Sequence, residues 1–254
     1  MIPVLILAPM LLIMQGILTA DTTSSNEGDS LSRSFEHPVK VINKSGHTIY
    51  GLIESASDTQ IVLKNDVDAG EVTYTLFKDD IAEISLPGRD IEVRAYELIN
   101  DDRQSEAVLL LTLLYHNRSA FLGLLSNKDV LIFTHLVNAY LQSNEYTKCL
   151  AIAQRLDPLV KDPQVKKFIK DALILCHFHL GNYAETELLA LSWVDHAQPF
   201  YSSALGWWLL AMIEFSKDQY ESALWTSMKP IVFSGQLTME FLSESYAVAI
   251  AACI

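Results

Sequence analysis

Basic side chains are scarce in this chain. Of 254 residues, 18 are Lys or Arg against 31 Asp or Glu, which leaves a formal net charge of −13. Binding to a phosphate backbone depends on clustered cations that release counterions, so this balance argues against nucleic acid as a partner. Cysteine is scarce too. Cys149, Cys176 and Cys253 are an odd number in apolar helical stretches and make no disulfide framework. They read as small buried core residues, and a bridge between Cys149 and Cys176 on adjacent helices stays open. A Gly-rich phosphate loop, a nucleophile elbow and a His-Glu-x-x-His motif are all missing, so the chain reads as non-catalytic and without a cofactor. Cys176-His177-Phe178-His179 suggests a metal site at first sight. Two histidines two positions apart lie about 200° apart around a helix and cannot share an ion, so no metal is expected.

Apolar residues are plentiful at half the total. That suffices for one to two domains with cores and excludes wholesale disorder. Residues 1–20, MIPVLILAPMLLIMQGILTA, carry no charged side chain. Such a run at the N-terminus, ending in Leu18-Thr19-Ala20, predicts a secretory signal peptide cleaved after Ala20, and hence an exported, periplasmic or envelope-associated protein. The alternative is an uncleaved membrane anchor, since about 20 apolar residues span a bilayer. Residues 21–36 are rich in Ser, Thr and acidic side chains and predict a solvated linker.

From residue 37 to 88 short runs of β-branched and aromatic residues alternate with turn residues: Val39 to Ile42, Thr48 to Ile53, Gln60 to Lys64 and Val72 to Phe77. Four or five short strands in this span predict a small antiparallel β barrel, with Gly51 at a mid-strand bend. Gly46, Gly51, the pair Ile61 and Leu63, and the pair Ile81 and Ile84 follow the order of signals in Sm-like or SH3-like small barrels of bacterial envelope proteins, which the segment resembles. The RNA binding of Sm proteins is not carried over. Residues 21–102 hold 17 acidic against 7 basic side chains, so a barrel here would repel phosphate.

The remainder repeats itself. Asn144-Glu145-Tyr146, Gly181-Asn182-Tyr183 and Asp218-Gln219-Tyr220 recur at intervals of 37. Leu136, Leu173 and Leu210 keep the same spacing, as do Cys149, Thr186 and Ala223, small residues that let helices approach closely. Each unit therefore predicts a helix, a tight turn and a second helix that stacks on its neighbours. These positions resemble the tetratricopeptide repeat pattern, with Phe133 and Trp207 as the fourth-position aromatic and Cys149-Leu150 and Ala223-Leu224 in the second helix. Lys170 and Glu244 depart from the aromatic, and the period exceeds the family's usual length, which implies longer loops around Pro158, Pro163 and Pro199. Units fall at 130–163, 167–200 and 204–237, with a partial fourth at 241–254. In residues 89–129, Ser105 to Tyr115 and Ser119 to Leu125 predict two connecting helices that cap the stack.

In repeats of this family certain first-helix positions line a concave groove. The resemblance assigns that role to Leu131, Thr134, Asn138, Leu141 and Gln142; to Phe168, Asp171, Leu175, Phe178 and His179; and to Leu205, Trp208, Met212, Phe215 and Ser216. This lining is apolar and aromatic, suited to an amphipathic helix or apolar peptide. The cations that clamp a peptide carboxylate are missing from it. Tyr246 to Ile254 carries no charged side chain, so either the natural chain continues or this helix meets a partner or a second copy. The sequence thus predicts an α+β multidomain protein, a β barrel followed by a tetratricopeptide solenoid, that scaffolds protein or peptide partners in the bacterial envelope. The alternative is an accessory subunit of an envelope enzyme or transport system that holds a lipid, glycan or peptide in the groove.

Overall fold

The computed structural model describes residues 38–67, 70–196, 203–233 and 241–254. The expected signal segment and linker lie outside the described residues. The chain opens with five strands, β1 Val39–Asn43, β2 Thr48–Ala56, β3 Gln60–Val67, β4 Gly70–Phe77 and β5 Ile81–Ser85. All pair antiparallel in the order β4-β3-β2-β1-β5. Alternation decides which face is buried: Val39 and Val41 of β1 and Ile61 and Leu63 of β3 point inward with at most 1% exposure. Asn43 shapes the β1–β2 turn, its side-chain oxygen accepting from the Ser45 hydroxyl at 2.7 Å and the His47 amide at 2.8 Å.

The sheet is not the closed barrel that the strand pattern predicts. Among the described residues β4 and β5 are its two edges and do not pair with each other. Register shifts at Ile53/Ser55 in β2 and at Ile42/Asn43 in β1 disturb the ladders, as bulges that bend strands do. The face that closure would have sealed is sealed from outside. Phe121 and Leu124, from a 3-10 turn over Ser119–Leu124, join Val39, Val41, Ile61 and Leu63 in one core. The sheet and the helices therefore share a core at this point.

The helices follow: α1 Arg89–Asn100, α2 Gln104–Arg118, α3 Asn127–Leu131, α4 Thr134–Gln142, α5 Tyr146–Leu156, α6 Pro163–His179, α7 Tyr183–His196, α8 Ala204–Ser216, α9 Tyr220–Val232 and α10 Leu242–Ala252. α1 is absent from the sequence expectation. The stretch from Ser119, expected as a second connecting helix, is the 3-10 turn instead.

Four helix ends share one corner. Asp102, Asn144, Gly181 and Asp218 all hold positive φ, from 57° to 77°. At each corner the next amide bonds five residues back and the corner amide three back: Arg103 to Leu98 and Asp102 to Ile99, Glu145 to Tyr140 and Asn144 to Leu141, Asn182 to His177 and Gly181 to Phe178, Gln219 to Glu214 and Asp218 to Phe215. This double bond pattern satisfies the last carbonyls of the helix and turns the chain back. Left-handed backbone strains most residues but not Gly, and Asn and Asp tolerate it, which is why Asn144, Gly181 and Asp218 recur every 37 positions. Tyr146 and Tyr220 reinforce their corners, their hydroxyls donating to Asn144 at 2.5 Å and Asp218 at 2.6 Å.

Successive hairpins stack through contacts between neighbouring helices. First helices also meet one another, α2 with α4, α4 with α6 and α8 with α10. One core runs from α1 to α6 around Phe133, Leu136 and Leu156, all at 0% exposure, and smaller ones continue across α6 to α8 and α8 to α10. Residues 104–124 form a stretch long and apolar enough to cross a membrane. Here Ala107, Leu111, Leu114, Phe121 and Leu122 are buried in the protein's own cores.

Candidate functional site

The groove positions separate into three groups. Leu131, Leu141 and Phe168 pack against the first helical core. Thr134 donates to the Leu131 carbonyl at 2.7 Å. Asn138 and Gln142 border the surface between α2 and α4, Gln142 on a depression of about 410 Å³ with Gln104, Ser105 and Tyr140. Asp171 is held by the Lys167 ammonium at 2.6 Å, and Ser216 donates to the Ile213 carbonyl at 2.7 Å. Leu205 is buried, with Leu175 packed against the same core, while Met212 and Phe215 pack with Trp208 around Ala211, Ala223 and Val248, so α10 covers the third unit.

The third group forms a row of rings. Tyr146 at the start of α5 stacks on His179 at the end of α6, with centroids 4.3 Å apart and planes 6° from parallel. His179 meets Phe178 edge-on at 5.4 Å, Phe178 meets Trp208 of α8 at 5.7 Å, and Trp208 stacks on Phe241 at 5.3 Å. These separations are those of favourable aromatic pairs. The row crosses three hairpins. None of its rings is fully buried, so each keeps an accessible edge or face. Partial burial lowers the proton affinity of His179, because it disfavours the imidazolium. Phe178, His179 and Trp208 were legible from the sequence. Phe241 was not. It holds φ 59° as the cap of α10, a conformation that a bulky side chain seldom adopts.

A second cluster lies where the sheet meets the helices. Arg118 and Glu92, 2% and 3% exposed, form an ion pair at 2.9 Å. Arg89 bonds the other Glu92 oxygen at 2.7 Å and sits 3.8 Å from Asp129, and Arg118 also donates to the Pro87 carbonyl at 3.2 Å. Among the described residues the Arg118 Nε has no partner. Two clefts, of about 570 and 510 Å³, border Arg118, one along β5 and Arg89, the other along the end of β2 and Phe121. Asp58 and Gly123 complete the join. The Gly123 amide donates to Asp58 at 3.0 Å, and a Cβ at Gly123 would fall 2.6 Å from the Asp58 Cβ. Only glycine permits that approach. The charges of the cluster neutralise one another, which makes it a fastening between the two parts of the molecule.

The residues of the metal-like tetrad go separate ways: Cys176 into the core, His177 to Asn182 at 3.4 Å, Phe178 and His179 into the ring row. Among the described residues no three His, Cys, Asp or Glu side chains cluster as a metal site would require. No family model, curated protein or solved structure matches the chain.

Proposed function

We propose that the chain is an exported, non-catalytic docking scaffold whose helical stack is of the tetratricopeptide type. The row of partly exposed rings from Tyr146 to Phe241, laid across successive hairpins, carries this reading. A row of that kind offers anchors of the sort that dominate binding energy, since rings bring large area with few rotamers to freeze. Its partner is an amphipathic helix or an apolar peptide, because the row presents carbon surface with few cations beside it. The sheet serves as a second interaction or oligomerisation module, and the apolar segment at residues 1–20 directs the protein to the envelope.

Co-purification of the full chain from envelope extract tests this. The expected result is a stoichiometric polypeptide whose recovery falls about tenfold or more in a Tyr146→Ala, His179→Ala double variant of unchanged helicity, the scale of losing an anchor residue. Recovery of a small molecule alone, or equal polypeptide recovery with the double variant, would overturn the reading.

A further inference from the structure

The Tyr146–His179 stack fixes the register between α5 and α6. Tyr146 opens α5 and His179 closes α6, so the two helices run antiparallel where they touch. Moving three residues forward along α5 reaches Cys149, and moving three back along α6 reaches Cys176. In antiparallel helices one turn forward on one matches one turn back on the other, so the two thiols lie side by side about 5 Å inside the ring stack. Both have 0% exposure and belong to the same core. Each thiol perturbs the protonation of the other, as close neighbours do, and the Cys149 thiol donates to the Val137 carbonyl at 3.4 Å. This contact crosses a boundary between units, since Cys149 belongs to the hairpin of α4 and α5 and Cys176 to that of α6 and α7.

We propose that Cys149 and Cys176 are a disulfide-forming pair that locks the first of these hairpins to the second. Closure breaks two S–H bonds and forms one S–S bond. Two electrons and two protons pass to an external disulfide such as oxidised glutathione, which leaves as two thiols. Its neighbour and its burial push the Cys149 thiol up, and each thiol perturbs the protonation of the other. Because neither sulfur is exposed, exchange proceeds during folding or local opening and is slow on the folded protein. Cys253, exposed at the cap of α10, remains outside the pair. None of this depends on the docking role or on what the ring row binds.

The test uses the full chain, unfolded and refolded in glutathione buffers from fully reduced to oxidising. The thiols are then alkylated under denaturing conditions and the protein is digested without reduction. The expected product is a linked peptide joining Cys149 to Cys176, about 2 Da lighter than the sum of its reduced halves. Its yield should rise with oxidant, and Cys253 should not share in it. The oxidised protein should melt at a higher temperature than the reduced one, a difference that vanishes in the Cys149→Ala, Cys176→Ala variant. Free Cys149 and Cys176 at the oxidising end, or a bridge from either to Cys253, would overturn the proposal. The peptide measurement on the unsubstituted chain decides even if the variant fails to fold.

Discussion

The sheet and the helical stack distribute their stability differently. In the sheet, β1 pairs with β5 some forty positions away, and the core needs Phe121 and Leu124 from beyond all five strands. Its buried side chains Val39, Val41, Ile61 and Leu63 lie on two strands that are not neighbours in the chain. In the stack each hairpin closes through its own corner and touches chiefly its neighbours, so interactions are local and repeat. The buried pair of Arg118 and Glu92 belongs to the first kind although it sits on helices, because it ties α1 and α2 to Pro87 at the end of the sheet.

Breaking the join should have the largest effect. Arg118→Ala leaves Glu92 buried beside only Arg89, and is expected to cost about 3–5 kcal/mol in denaturant unfolding followed by circular dichroism. Adding Glu92→Leu should recover much of the loss, since removing both charges removes the unpaired one. A cost below about 1 kcal/mol for the single variant would show that the two regions are not fastened there.

Smaller and additive effects should come from the corners. Gly181→Ala places a side chain at φ 77° with nothing within 4 Å to collide, so only backbone strain opposes it. The expected loss is about 1 kcal/mol. Asn144→Ala should lose a similar amount together with the Tyr146 hydroxyl bond, and combining it with Asp218→Ala two units away should lose the sum to within about 0.5 kcal/mol. Marked non-additivity in the same unfolding measurement would mean that the stack is as interlocked as the sheet.

The smallest effect is acid sensitivity at one seam. His179 has a lowered folded proton affinity, so the unfolded chain takes up its proton first as the pH falls. The stability this contributes is full above the ordinary histidine value of about 6.5 and is lost as the pH falls through the depressed folded value. His179→Phe keeps a ring against Tyr146 and removes the titration. Its unfolding midpoint should vary less than that of the unsubstituted protein across this window, and an unchanged pH profile would break the link.

The same division governs what the sequence disclosed. The corners at Asn144, Gly181 and Asp218 were legible because left-handed backbone admits few residue types and Tyr repeats beside them. The corner at Asp102 has the same bonds but is followed by Arg103 and lies 42 positions before Asn144, so it escaped, and α1 escaped with it. Strand alternation located the strands, yet period-two patterning says nothing about whether the outer two strands meet. The open face of the sheet was therefore read as closed. Phe121 and Leu124 sit in an apolar run that suits a helix as well as a 3-10 turn. Glu92 and Arg118 drew no reading from the sequence, since nothing in it pairs two residues 26 positions apart. Among the groove positions, the repeat register placed Phe178 and Trp208 beside Leu205 and Asp171 without separating them, because the ring row, the burial of Leu205 and the ion pair of Asp171 needed the neighbouring helices to be in place.

The uniform corners also bear on how a chain like this can grow. Between α4 and α9 every unit turns at its middle on a left-handed residue, so a copied 37-residue segment in that interval carries its own corner and yields another hairpin that its neighbours can receive. Ahead of α3 the same duplication fails, because a copied α1 and α2 would bring an Arg118 and a Phe121 with no second sheet to hold them. Lengthening by duplication is therefore open in the stack and shut at the sheet.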